Sequence, residues 1–483
     1  MNFGLGHLFF CAVLLTASPV AAWTLAEQKA GERGHPQIVA RYGGAYPDGV
    51  LTAYVEDIGF RLVAISEKPR QTWKFTVLDS PEVNAFALPG GYIYVTRGLL
   101  ALANSEAELA GVLAHEIAHL TLDHVGERND QGAKAGIGIV AGAIVGGVID
   151  GKDGAKNALR TGTAIAAGYL SSHSRQHELE ADRRGIRLMA ELGYDPMAQV
   201  DFLESLEAQY RLSARLRGKI HDPNRVGFFD SHPSTAERVR KAVEEAEGIP
   251  LGSTLRGEQR YHQRINGLIY GDSPGQGFVR NGEFLHPILR FAFKVPKGFL
   301  IDNGPRQVVA RGEGGSVMVM DAIRDPGPRL DSYIKDVWAP DLTRGVDSGY
   351  MYDLHRLEIN GLEAATGFQP FEDRDGRKVA QLTIIKLGDR YYRLRAIAPA
   401  EDIETSIAMG VASESFRRLS AGEANSLKPL KLRAYRVRPG DDVLLLSATI
   451  PLQDFAKERF LTLNGYAEGE VPLVGDWVKL IVE

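Results

Sequence analysis

Apolar residues recur at helical spacing through Leu109, Val112, Leu113, Ile117 and Leu120. Ser105, with Glu108 three residues later, is a helix-start signature ahead of them. The pattern predicts one amphipathic helix with a buried stripe. Upstream, residues 84–88 break at Pro89-Gly90-Gly91, and the β-rich run Tyr92-Ile93-Tyr94-Val95-Thr96 follows, which predicts a hairpin. Downstream, residues 132–149 are almost wholly small and apolar, with Gly138, Gly142 and Gly146 at every fourth position, and 157–170 are Ala-rich. Small residues at that spacing let helices approach closely, so 132–170 reads as an inserted helical hairpin. Lys134 and Asp150 bracket about fifteen residues of it, short of the roughly 20 a membrane span needs. We read it as a packed lid, with peripheral contact to a membrane surface as the alternative.

From residue 271 the pattern changes. Gly271-Asp272-Ser273-Pro274-Gly275-Gln276-Gly277 is turn-rich and marks a domain boundary. Strand-like runs at 291–295, 315–321, 379–386 and 391–396 then alternate with helical runs at 330–337 and 402–419. That order predicts an α+β domain with an antiparallel sheet over 278–422. Residues 431–483 form a smaller final unit.

Composition narrows the setting. The chain has 483 residues and a net charge of −5, with a pI near 6.2. Several domains are expected, and nothing points to nucleic acid. Residues 8–16 are an apolar core followed by Ala17-Ser18-Pro19-Val20-Ala21-Ala22, which reads as a signal peptide over 1–22, although Lys and Arg are missing from its first residues. The single cysteine, Cys11, falls inside it, so the mature chain would hold no disulfide. The bacterial periplasm is the compartment this suggests.

The predicted helix carries the pentapeptide HEIAH. His115 and His119, at i and i+4, share a face and can reach one metal ion. Glu116 is placed to handle a proton on a water held there, the arrangement of a zinc peptidase. A catalytic site needs a third ligand. His124 is five residues beyond His119, which on a continuing helix turns it roughly 140° away at about 100° per residue. It reads as a surface or second-layer residue. The stretch SRQHELEADRRGI, residues 174–186, is the better source. Glu178 and Asp182 lie at i and i+4, so Glu178 can ligate zinc while Asp182 accepts from the far nitrogen of a ligand histidine. Glu180 points to the opposite side of the helix and is set aside.

Together these stretches resemble the CAAX-prenyl-protease and HtpX-type zinc metallopeptidases (metallopeptidase family forty-eight), in particular its secreted BepA-like members. LDSPEVNAFALPGGYIYVTRGLL, HEIAH, HELEADRRG and SHPSTAER carry the resemblance, all in the first half of the chain. It implies a mainly helical gluzincin-type domain with a small sheet over 23–270, holding one zinc per chain. It also implies that His232 reaches the site, either to stabilise the oxyanion or to occupy the open zinc position. The hairpin at Asn84, Ala85 and Phe86 is placed to grip an extended substrate backbone by strand addition.

Two weaker likenesses lie downstream. The 278–422 region is distantly similar to a PsbP-type fold. Tyr435 to Asp442, Phe460 to Gly465 and Leu473 to Lys479 together resemble a degenerate LysM module in β-α-α-β order. Such modules bind N-acetylglucosamine polymers, so this one would tether the chain to peptidoglycan. It departs from the pattern at Asp442 and in the apolar run 443–446. The resulting expectation is a multidomain α+β zinc endopeptidase acting on unfolded or misassembled polypeptides of the cell envelope. The alternative is a latent zinc-bound chaperone whose cleft is blocked by His232 or the Gly-rich hairpin.

Overall fold

The computed structural model describes residues 22–124, 173–216, 232, 236–250, 254–324, 327, 329–452 and 454–483. The expected hairpin at 132–170 lies outside them, as does the expected signal peptide up to residue 21. Among the described residues no helix is long and apolar enough to cross a membrane.

The first part runs α1 (Leu25–Arg41), α2 (Gly49–Ala64), β1 (Lys74–Leu78), β2 (Ala85–Leu88), β3 (Tyr92–Thr96), α3 (Arg97–Leu102), α4 (Glu106–Thr121), α5 (Arg175–Glu191), α6 (Met197–Leu216), α7 (Ala236–Glu247), α8 (Glu258–Ile265) and β4 (Ile269–Tyr270). Strands order as β1-β3-β2, with β1 parallel and β2 antiparallel to β3. The β2–β3 hairpin turns through Gly90 and Gly91, whose φ values of 82° and 85° suit glycine. The HEIAH helix, α4, starts at its Ser105 cap, where the hydroxyl accepts from Glu108 N at 3.1 Å. It is buried along nearly its whole length. Its apolar stripe packs into a core shared with α2, α6 and the sheet.

The closest neighbour of α4 is α5, and Gly185 permits that approach. A Cβ there would stand 3.0 Å from the backbone N of His115 and 3.2 Å from its Cα. Any side chain would push the two motif helices apart.

The middle region is a mixed unit. In spatial order its main sheet holds Leu362–Asp373, Gly376–Leu387, Arg390–Pro399, Val317–Ile323, Val308–Arg311 and Leu300–Asn303, all antiparallel. Along Arg390–Pro399, Tyr392, Leu394, Ala396 and Ala398 enter the core under helix Ile403–Glu414, whereas Tyr391 and Ile397 face the helical stretch at 330–342. Period-two alternation thus builds two cores on opposite faces.

The last segment does not stand apart. Strand Leu430–Arg436 pairs with Trp477–Val482 on one side and with β4 on the other, and its apolar residues join the core of the first part. Helices Val443–Ser447 and Ala456–Leu463 lie between the two long strands in sequence. Lys479 is buried, and its Nζ donates to the carbonyls of Ala101, Leu102 and Ala103 at 2.7–2.8 Å. These are carbonyls at the C-terminal end of α3, which need donors from outside that helix. Burial pulls the Lys479 ammonium below its usual range, opposed by the nearby Glu108 carboxylate. The final segment therefore braces the turn that leads into α4.

Candidate metal centre

Four side chains from three places in the sequence meet beneath α4. His115 and His119 project from one face of that helix, Glu178 from the first turn of α5, and His232 from four residues ahead of α7. Each offers one donor atom, all within 4.8 Å of one another, and all four residues are buried. His115 Nε2 stands 3.0 Å from His119 Nε2 and 3.3 Å from His232 Nδ1. Glu178 lies 3.6 Å from His115 Nε2, 3.4 Å from His119 Nε2 and 3.0 Å from His232 Nδ1.

Three imidazole nitrogens this close would set lone pairs against one another unless a cation lay between them. Tetrahedral zinc with bonds of about 2.0–2.1 Å spaces its ligands about 3.3 Å apart, close to the separations seen here. The donor set, nitrogen and carboxylate oxygen, also suits zinc.

The surroundings fix these donors. His115 Nδ1 lies 2.9 Å from Asp182 Oδ1, which leaves Nε2 for the metal. Burial works to raise the Asp182 carboxyl, but Arg238 overrides it and brings it down to about 2. Burial likewise opposes the Glu178 charge, yet His232 and Arg238 hold it well below the usual carboxylate range. Burial takes His119 well below its ordinary value, so it is neutral, as ligation requires. Glu116 stands beside the four donors, its Oε1 3.4 Å from His232 Nε2. Burial, helped by Glu178, pushes its carboxyl up to about 7 against the pull of His115 and Arg238. That is the range of a working general base.

Residues 50–246, which carry all four donors, match the description of peptidase family M48. That stretch is what the chain shares with M48 peptidases. Zinc is the cofactor of M48 metallopeptidases. The beta-barrel assembly-enhancing protease of Escherichia coli K12 is 32% identical over 171 residues, 35% of this chain and 35% of its own length. Mitochondrial metalloendopeptidase OMA1 of Schizosaccharomyces pombe is 30% identical over 220 residues, 45% of this chain and 60% of its own. The chain thus spans about a third to three fifths of the length of these relatives. Among solved structures, cyanobacterial PsbP from Synechocystis covers 31% of this chain at 11% identity, with a TM-score of 0.25.

Two features of the site go beyond what the sequence reading names. Arg238 is almost fully buried and donates through Nε and Nη2 to Asp182 at 2.7 and 2.8 Å, and its Nη1 lies 2.8 Å from Glu178 Oε2. One guanidinium holds both acids that serve the metal. Its signal was the arginine six residues after His232 in SHPSTAER. The second feature decides between the two places open to His124: it lies in the second layer, not at the surface. The helix stops at Thr121, and Asp123 adopts a left-handed φ of 61°, so the chain doubles back instead of continuing. His124 is buried, with Nδ1 3.1 Å from His119 Nδ1 and Nε2 3.2 Å from Glu180 Oε2.

With His119 Nε2 turned to the metal, its Nδ1–H donates to His124, which donates in turn to Glu180. Glu180, set aside as a ligand, anchors this relay. His124→Phe is expected to weaken zinc affinity about 10–100-fold, read by competition with a chromophoric chelator. Unchanged affinity would leave His124 as packing alone.

The strand expected to grip a substrate is less open than its sequence suggests. β2 has an edge that pairs with no described strand, but Asn84, Ala85 and Phe86 are all buried. Phe86 packs against Tyr94 and Tyr42, at ring centroids of 5.0 and 5.2 Å. Asn84 N donates to Thr96 Oγ1. What these residues can offer a substrate is backbone, not side chain.

Proposed function

We propose that the chain is a zinc-dependent endopeptidase that hydrolyses peptide bonds of unfolded or misassembled cell-envelope proteins in the periplasm. The observation that carries the reading is the convergence of His115, His119, Glu178 and His232 with Glu116 alongside. The relatives named beta-barrel assembly-enhancing protease support an envelope role. Bound zinc supplies Lewis-acid polarisation and activation of water. Glu116 takes the proton of the attacking water and returns it to the leaving amine. Asp182 and the His124–Glu180 pair hold the two helix histidines in their ligating tautomers. Backbone of β2 grips the substrate.

A catalytic zinc keeps one position for solvent or substrate. Here His232 Nδ1 stands where a fourth ligand would, which favours a latent state of the same site. Casein digestion by the full chain and by His232→Ala, each with and without chelation, tests both points. Digestion is expected to stop on chelation, return with zinc, and rise several-fold in His232→Ala. A fall in that variant assigns His232 to the oxyanion instead. No digestion by either zinc-loaded protein favours the latent chaperone.

The β-α-α-β order of 430–482 supports a further element, tethering to peptidoglycan through the final unit. Leu444, Leu445, Leu473 and Val474 stand exposed on it. The full chain is expected to sediment with purified peptidoglycan; retention in the supernatant removes the tether.

A further inference from the structure

We propose that a cavity where the three parts of the chain meet binds a monocarboxylate that carries an apolar group. The cavity measures about 330 Å³ and lies apart from the metal centre. Val83, Leu102, Ile269, Leu430, Leu452 and Leu463 give it an apolar wall drawn from the first part of the chain and the final unit. Its charged lining is Arg97, Arg280, Arg459 and one acid, Asp272.

Arg97 makes the cavity a site. It is 1% exposed, the first residue of α3, and committed through two of its nitrogens. Nε donates to Asp79 at 2.6 Å, and Nη1 to the Ile269 carbonyl at 3.1 Å. Nη2 has no hydrogen-bond acceptor among the described residues. A buried donor left that way is destabilising, and a bound acceptor would relieve it. Arg280 and Arg459 are partly exposed and add positive charge at the rim. Asp272 is already engaged, accepting from Val279 N at 2.8 Å and Asn303 Nδ2 at 3.2 Å.

Charge selects the ligand class. Asp79 and Asp272 offset two of the three guanidinium charges, leaving room for a single negative charge. A planar carboxylate matches a guanidinium, and the apolar wall asks for a hydrocarbon or apolar side chain behind it. A polyphosphate, heavily charged and without an apolar part, would leave that wall unused. Two sources share the chemistry, a fatty acid and the C-terminal end of an apolar peptide. The site lies along α3, through Arg97, Gly98, Ala101 and Leu102. Arg97 opens α3, whose last carbonyls receive Lys479 and which leads directly into α4.

Calorimetric titration of the full chain with sodium octanoate and with acetyl-Leu-Phe as the free acid tests this. Octanamide and the amidated dipeptide are the uncharged controls. Saturable one-to-one binding of either acid is expected, at least about tenfold tighter than its amide. The tighter acid identifies the source. Arg97→Met strips Asp79 of its partner and risks misfolding, so Leu452→Trp, which fills the cavity from a half-buried wall position, is the decisive variant. It should keep the unliganded melting temperature and lose at least about tenfold in affinity. No saturable binding of either acid overturns the site, as does equal binding of the amides or full affinity in Leu452→Trp.

Discussion

Glu116→Gln is expected to abolish casein digestion, lowering turnover by about 10²–10⁴-fold, while zinc content stays at one per chain. Gln has the shape of Glu but cannot accept the proton of the attacking water. The residue is 1% exposed and outside the four converging donors, so the substitution leaves the ligand set untouched. Metal analysis alongside the digestion separates the two effects. Activity retained in a clean preparation would remove Glu116 from the chemistry. Loss of zinc together with activity would make it a structural support of the centre.

Arg238→Leu should be the most damaging change outside the ligands. It leaves Asp182 and Glu178, both buried, without the cation that holds them charged. Removing one partner of such a buried group typically costs about 3–5 kcal/mol, because the remaining charge has neither water nor an ion pair. His115 then loses a fixed Asp182 acceptor. The expected outcome is a large drop in melting temperature for the zinc-free protein and poor zinc retention. Zinc binding should recover part of the loss, since the metal itself neutralises Glu178. A variant that melts and binds zinc as the parent does would show that the acids find other partners.

Much of the centre was legible because helix geometry is local. Spacing alone puts His115 and His119 on one face, and the same periodicity brings Glu178 and Asp182 together on another helix. The hairpin before the metal helix was legible for a similar reason, since Pro89-Gly90-Gly91 permits few alternatives to a turn. Where helix spacing is extended past a helix end, it leaves the outcome open. On a continuing α4 His124 turns away from His119; Asp123 ends the helix, and the second-layer place, beside His119 Nδ1, is the one it takes.

The middle sheet shows a different limit. Strand Leu362–Asp373 contains Gly367 and Pro370, residues that argue against an interior strand. It forms because it is paired on both sides, and Pro370 falls in the gap between its two short outer partners, Asp347–Ser348 and Tyr352–Ile359.

Residue spacing was enough to place the motif helices, their chemistry and the side chains each could turn towards a common point, because side-chain direction along a helix follows from a fixed rotation per residue. That His232 joins the donor group, that Arg238 serves two acids at once, and that Lys479 caps the helix ahead of α4 came from packing between distant segments. Those contacts join residues tens to hundreds of positions apart. They depend on how closely surfaces pack, as at Gly185 against His115, and no local spacing encodes that distance.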